Sequence, residues 1–373
     1  MQDVESIHLA STHPPFDTRI FHKECKTLAR AGYRVTLIVP HDRDEVVDGV
    51  RIRSVPKPNV GKERLTKTLG HIYRAALAEA PEALYHFHDA ELIFHMFLLK
   101  ARGRRVVYDA HEDTLRQVMY QHWIPRPLRR PVSLVMRWAE WLGGRWFEGI
   151  IAAEPGILKR FSEKRTVLVH NFPLLDELHR ATPIPYAQRH PRITYIGGIT
   201  RKRGIEEMLA AIDLLPASLG AELVLGGMFH PAGLEDEVRR MPGAERTDIR
   251  GWLQREQVAE VLAETRVGIV TLHPTPKYLD SYPTKLFEYM AAGLPVIASD
   301  FPQWRRFVEE AQCGLLVDPL DPDAIAEAMR WMLERPDEAA AMGARGREAV
   351  RTRYSWEREA PRLLAFYEEL HAS

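Results

Sequence analysis

The 373-residue chain has only two cysteines, Cys25 and Cys313. They lie far apart in sequence and each falls in a segment that reads as packed, so there is no CxxC pair, zinc-finger spacing or disulfide framework, and a reducing compartment fits. A charge excess is also missing: Lys plus Arg and Asp plus Glu number 51 each, for a formal net charge of zero. Nothing global draws such a chain to nucleic acid, and any anion site has to be local. No apolar run approaches the roughly 20 residues that cross a bilayer. The opening MQDVESIHLAS carries acidic residues and starts a strand at once, without the basic and long apolar regions of a secretory signal, so a cytoplasmic place is expected. What is present is ordinary for a globular chain, 45% hydrophobic and 27% charged, and long enough for two cores.

Short runs rich in Val, Ile and Leu alternate with helical patterns: SIHLAS, RIFHKECKTLARAG, YRVTLIVP, ALYHFHD, RRVVYDAHED, GIIAAE. Such runs between helices predict parallel strands covered on both faces, as in a doubly wound sheet. The series restarts with RITYIGG, AELVLGG, DIRGW, VGIVTL, PVIASD and GLLVDP, with helices expected near Gly204, His230, Arg255 and Thr284. Between the two sets, residues 170–192 are rich in proline and polar groups and lack a period, which marks an interdomain linker. The expected architecture is α/β, with one domain over 1–172, a second over 173–353, and a helix over 354–373 packing back on the first. Small ligands of such sheets bind beyond the carboxyl ends of strands, which puts the candidate residues there, in a cleft that the two domains face.

The stretch YPTKLFEYMAAGLPVIASD, residues 282–300, places Glu288 among apolar residues. Pro283 suits a first helical turn and Gly293 a helix end. The N–H groups of Thr284, Lys285 and Leu286, the positive end of the helix dipole and the Lys285 ammonium offer a cradle for a diphosphate. Glu288, one turn further in, could then accept two hydrogen bonds from a ribose. By spacing alone it reads equally as a helix-surface glutamate.

DSYPTKLFEYMAAGLPVIASD resembles the signature region of the retaining glycosyltransferases of family 4, also called glycosyl transferases group 1. That resemblance implies the GT-B fold, two Rossmann-like doubly wound domains facing across a cleft. The family pattern has two acids eight residues apart, and Asp280 and Glu288 match it with Asp in first place. Carried over, Asp280 contacts the donor sugar, Glu288 the ribose, and the Thr284, Lys285 and Leu286 amides the phosphate, with Ser281 and Pro283 of the same loop also on the donor. YIGGITRKRGIEEMLAAI resembles the family's GRLxxxKG segment, whose Arg and Lys neutralise the donor diphosphate. Aligned on Gly197 and Gly204, this chain has Gly198 in place of the Arg and Arg203 in place of the Lys. Arg201 or Lys202 either replaces the missing cation or is solvated. DIRGWLQREQ matches the base-binding region, implicating Trp252 and Leu253, and His111 matches a histidine that contacts the donor sugar near the reacting centre.

Where many family members have a Gly-rich first loop, this chain has PFDTR, which makes Asp17 and Arg19 acceptor-side candidates; alternatively Asp17 or Thr18 caps the helix and Arg19 is solvated. In HFHDAEL, His86 and His88 could share a strand face, but a metal needs a third ligand and an open position, and the family's catalysis needs none. No metal is expected, and His88 and Asp89 are expected to line the acceptor side. WIPRPLRRPVSLVMRWAEWLGGRWF reads either as a peripheral membrane-surface helix or as a core helix with snorkelling arginines.

The resemblance thus implies transfer of a sugar from a nucleoside-diphosphate-sugar, with retention, to a hydroxyl of a sugar, lipid-linked or small-molecule acceptor, as in polysaccharide or glycoconjugate biosynthesis. His111, Asp280 and Arg203 would carry the catalysis, without a cofactor, in the cytoplasm or at the inner face of the membrane. A nucleotide-sugar epimerase of similar two-domain architecture is the alternative enzyme, and the absent Arg at Gly198 keeps open a donor-binding scaffold without catalysis.

Overall fold

The computed structural model of the protein describes residues 4–58, 67–111, 114, 118–119, 124–162, 165–175 and 184–372. Part of the expected linker, 176–183, lies outside them. The chain divides into two compact units, Met1–Asn171 with Glu359–Ser373, and Phe172–Arg358.

The first unit is built on eight strands: β1 (Glu5–Leu9), β2 (Arg34–Pro40), β3 (Glu45–Val47), β4 (Val50–Val55), β5 (Leu84–Phe87), β6 (Arg105–Ala110), β7 (Gly149–Ala152) and β8 (Thr166–Leu168). They lie in the order β3-β4-β2-β1-β5-β6-β7-β8, parallel except for the β3–β4 hairpin. Ile7, Leu9, Tyr85, Phe87, Val106 and Tyr108 form part of its core. The expected series lacked β3, β4 and β8. In β4 the alternation of buried Val50 and Ile52 with Arg51 and Arg53 is a half-buried strand pattern, which a search for continuous apolar runs passes over. After β1 the helical segment Thr18–Cys25 runs into α1 (Lys26–Arg30), and α2 (Arg126–Trp146) follows β6.

The second unit has strands β9 (Arg192–Ile196), β10 (Glu222–Gly226), β11 (Thr247–Gly251), β12 (Val267–Val270), β13 (Val296–Ser299) and β14 (Gly314–Val317). All are parallel, in the order β11-β10-β9-β12-β13-β14. This is the 3-2-1-4-5-6 order of a dinucleotide-type doubly wound sheet, whose ligand crevice lies where the order reverses, here beyond β9 and β12. Helix α3 (Ile205–Leu214) follows β9, and α4 (Thr284–Ala291) precedes β13. Gly204, at φ 76°, starts α3 where a Cβ would stand 2.1 Å from the Thr271 carbonyl oxygen, so no other residue fits without moving backbone.

The last helix, α5 (Trp356–Ala372), joins the first unit from Glu359 onward. Tyr367 is fully buried with its hydroxyl 2.7 Å from His86 Nδ1, and Phe366 fills the space where a Cβ on Gly149 would stand. Tyr354, expected to open this helix, instead packs with Phe172 and Phe287, and the Trp356 N–H donates to the Pro173 carbonyl. Both cysteines are buried free thiols, and no described helix is long and apolar enough to cross a membrane.

Candidate functional site

In the first unit the ends of β1, β5 and β6 bring together the residues after those strands. Asp109, fully buried at the end of β6, is the hub. Its carboxylate takes a bidentate pair from Arg19, at 2.9 and 2.7 Å, and contacts His88 Nδ1 and His111 Nδ1, each at 3.0 Å. Burial alone would raise the Asp109 carboxyl, but the Arg19 guanidinium, then His111 and His88, hold it well below the usual carboxylate range. Glu24 lies beside it, 3.1 Å from Arg19 Nε, and is pushed well above that range by burial and by the charge of Asp109. His111 therefore has a fixed ring: Nδ1 belongs to Asp109, which leaves Nε2 for other partners.

Several expectations change here. Arg19 is neither solvated nor at a surface, because its charge is spent on Asp109 inside the unit. Asp17 caps the following helical segment, accepting from the Arg19 and Ile20 N–H groups at 2.8 and 2.9 Å. His88 and Asp89 are buried rather than lining an open surface. His88 is held between Asp109 and His8 Nδ1, the latter at 2.9 Å from its Nε2. Asp89 accepts from the backbone N–H groups of Ser11 and Thr12 at 2.5 and 3.1 Å and pairs with His13. Amides that a Gly-rich first loop would present to an anion are thus already occupied. Asp109 and His13, the latter with its ring centroid 5.1 Å from that of His111, were missed. Asp109 could have been found, since a residue two before His111 on a strand shares its face, but it hides inside the apolar run RVVYDA.

In the second unit the crevice beyond β9 is lined by cations. Arg203 folds back over the Gly197–Gly198 turn, its Nη1 donating to the Gly198 carbonyl at 3.1 Å and to the Tyr195 hydroxyl at 3.3 Å. A Cβ on Gly197 would stand 3.3 Å from Arg203 Nη1 and 3.5 Å from Lys285 Cε, so the two basic side chains converge on that glycine. A Cβ on Gly198 would also meet Arg203 Nη1, at 3.4 Å: the space beside Gly198 is occupied by the guanidinium from five residues on. Among the described residues no carboxylate lies within ion-pair distance of Arg203. Burial would lower its pKa, but the Tyr195 and Tyr278 hydroxyls raise it above the ordinary arginine value. Arg201 is turned away to Glu206, at 2.8 Å, and to Glu237, so it does not stand in for the missing cation. Lys202 contributes its carbonyl, which accepts from the His273 N–H at 3.0 Å.

Helix α4 begins at Thr284 with Pro283 before it, as its punctuation implies. The Leu286 N–H, however, donates to the Pro283 carbonyl at 2.9 Å, so Leu286 drops out of the expected amide cradle, and Thr284 and Lys285 remain. Lys285 Nζ contacts Glu288 Oε2 at 2.8 Å, and Arg255 Nη1 stands 3.7 Å from Oε1. Glu288 is thus a paired carboxylate, not a solvated one. Asp280 ends a short helix, Pro276–Leu279, and the next residue is fixed by a bond from Trp304 Nε1 to the Ser281 carbonyl at 2.9 Å. Trp252 is 70% exposed, and Leu253 packs where a Cβ on Gly226 would stand.

Two family models match the chain, Glycosyltransferase Family 4 over residues 18–172 and Glycosyl transferases group 1 over residues 190–335. A phosphatidyl-myo-inositol mannosyltransferase of Mycolicibacterium smegmatis is 26% identical over 356 residues, covering 92% of this chain and 87% of that protein. Other curated relatives are matched over 64% and 49% of their own length. Among solved structures, sucrose-phosphate synthase from Thermosynechococcus elongatus superposes with a TM-score of 0.76 at 22% identity, covering 99% of each chain. Anabaena HepE in complex with UDP-glucose gives 0.72 at 13% identity, covering 98% of this chain and 99% of that one. At those identities the likeness speaks for the fold.

Proposed function

The chain belongs to glycosyltransferase family 4, and from that premise we propose that its second unit holds the diphosphate of a nucleotide sugar on Arg203 and Lys285, while the sugar is transferred with retention to an acceptor hydroxyl. The observation that carries this is Arg203. A largely buried guanidinium whose hydrogen bonds among the described residues go to the Gly198 carbonyl and the Tyr195 and Tyr278 hydroxyls keeps its positive charge uncompensated, which a departing diphosphate would compensate. The Thr284 and Lys285 N–H groups at the start of α4 add to the same field. Stabilising the leaving group in this way is the largest contribution available to a front-face transfer. It also assigns the charge neutralisation to side chains, so turnover is expected without added Mg2+ or Mn2+.

Glu288 is the ribose ligand in this reading, exchanging its Lys285 contact for two hydroxyls once Lys285 turns to phosphate. Asp280 and His111 are assigned to the donor sugar, His111 through the Nε2 that Asp109 leaves available. Trp252, exposed beside Leu253, is assigned to the base. Thermal-shift titration with UDP-, GDP- and dTDP-sugars tests the assignment, because a donor that binds only the folded chain raises its melting temperature. A donor that shifts wild type and the Arg203→Ala variant equally would remove Arg203 from the site.

A lipid-linked acceptor at a membrane face is supported by α2. Leu134, Val135, Trp138 and Trp141 are exposed on it, and Arg126, Arg130, Arg137 and Arg145 lie on the same helix. An apolar stripe with interleaved arginines suits an anionic lipid surface better than a core. The relative named for a phosphatidyl-inositol substrate agrees with that class of acceptor. Flotation with anionic liposomes, lost in Trp138→Ser/Trp141→Ser, would establish it, and equal flotation of both proteins would refute it.

A further inference from the structure

Four ionisable side chains of the first unit meet in its interior: His8 on β1, Glu24 on the segment Thr18–Cys25, His86 on β5 and His88 just after it. All four are buried, and one ligand atom of each lies within 4.8 Å of one from every other. Topology brings them together. β1 and β5 are adjacent parallel strands with His8 opposite His86, and His88, two residues further, returns to the same face. The segment Thr18–Cys25 then lowers Glu24 onto that face. The HFH pair alone lacked a third ligand; the fold supplies His8 and Glu24 from elsewhere in the chain.

The hydrogen bonding around the cluster is incomplete. His86 Nε2 and Glu24 Oε2 are buried with no hydrogen-bond partner and face each other at 3.7 Å, while Glu24 Oε1 is paired with Arg19 Nε at 3.1 Å. Each such atom costs about 1–3 kcal/mol if left so, and native interiors hold few of them. The outward ring nitrogens of His86 and His88, by contrast, are held, while the outward Nε2 of His8 is buried without a partner. Tyr367 stands 2.7 Å from His86 Nδ1, and Asp109 3.0 Å from His88 Nδ1. Carboxylate and hydroxyl partners on the far nitrogen are what fix a metal-binding imidazole, leaving Nε2 as the ligand atom. Arg19, 3.1 Å from Glu24 Oε1, is itself neutralised by Asp109, so it does not cancel the Glu24 carboxylate.

We propose that His8, Glu24, His86 and His88 form an enclosed structural Zn2+ site. Zinc bound at 2.0–2.1 Å by four ligands sets them about 3.4 Å apart. The separations of 2.9 Å between His8 Nδ1 and His88 Nε2 and 3.7 Å between His86 Nε2 and Glu24 Oε2 bracket that edge. Three imidazoles with one carboxylate favour zinc over the oxygen-seeking Mg2+ or Ca2+. With four protein ligands and no exposed ligand, the ion is structural, distinct from the diphosphate chemistry of the second unit. Its binding couples to the folding of the first unit.

Untagged protein, expressed with added zinc and purified without chelators, is expected to carry one equivalent of zinc by inductively coupled plasma mass spectrometry. Dialysis against dipicolinate should lower its melting temperature by several degrees, with recovery on adding Zn2+. Exchange with Co2+ should give the intense visible bands of a tetrahedral centre. Glu24→Gln and His86→Gln should reduce the metal to trace levels; if neither folds, chelation and refilling of the wild type decides. A wild type that takes up neither Zn2+ nor Co2+, or zinc that stays stoichiometric in both variants as an adventitious ion, overturns the proposal.

Discussion

Replacing Arg203 separates a ligand-binding cation from a structural one. Its Nη1 donates to the Gly198 carbonyl and the Tyr195 hydroxyl, but the Tyr195 hydroxyl itself donates to the same carbonyl at 3.1 Å. Arg203→Ala therefore leaves the carbonyl with a partner, and the expected loss is a hydrogen bond's net contribution, about 1 kcal/mol. For a unit of this size that lowers the melting temperature by roughly 2–4 °C. The effect on turnover should be far larger, since losing one preorganised donor to a developing anion typically costs about 10²–10³ in kcat. Arg203→Lys keeps the charge without the two-pronged geometry and should fall between, retaining melting behaviour. Initial rates of sugar transfer, or of donor hydrolysis while the acceptor is unknown, alongside thermal denaturation, give both readouts. Arg203→Ala rates within threefold of wild type, or a melting temperature lowered by more than about 10 °C, would refute the reasoning.

Gly227 has φ 141°, and a Cβ there would stand 1.9 Å from the Gly197 carbonyl oxygen. Gly227→Ala should displace the Gly197–Arg203 turn, costing about 2–4 kcal/mol and weakening donor binding together, as read by denaturant midpoint and thermal shift. Trp252→Ala, at an exposed position, should leave the melting temperature unchanged while raising KM for the donor; an unchanged KM would remove it from the base site. In α5, burial alone would raise the Glu359 carboxyl, but hydrogen bonds from the His170 ring and backbone N–H lower it. A lowered carboxylate contributes stability that is present above its unfolded value of about 4.3 and lost as pH falls through the folded value. Glu359→Gln should thus melt below wild type at pH 7 and approach it on acidification below pH 4; a constant gap across that range would show that Glu359 acts through packing.

The doubly wound strand sets, the punctuation of α4 by Pro283 and Gly293, and the acid pair Asp280 and Glu288 are all local patterns. They could be read from the sequence because apolar period, helix ends and motif spacing are set by neighbours along the chain. Tertiary structure decided the charges. Whether a cation faces solvent, a carboxylate or an awaiting anion depends on what other elements bring beside it. Thus Arg19 turned inward to Asp109, Arg201 outward to Glu206 and Glu237, and Arg203 into the space beside Gly198. The Leu286 amide was lost to the Pro283 carbonyl, and His8 and Glu24 joined His86 and His88, for the same reason: burial and long-range pairing act between residues that the linear pattern keeps apart.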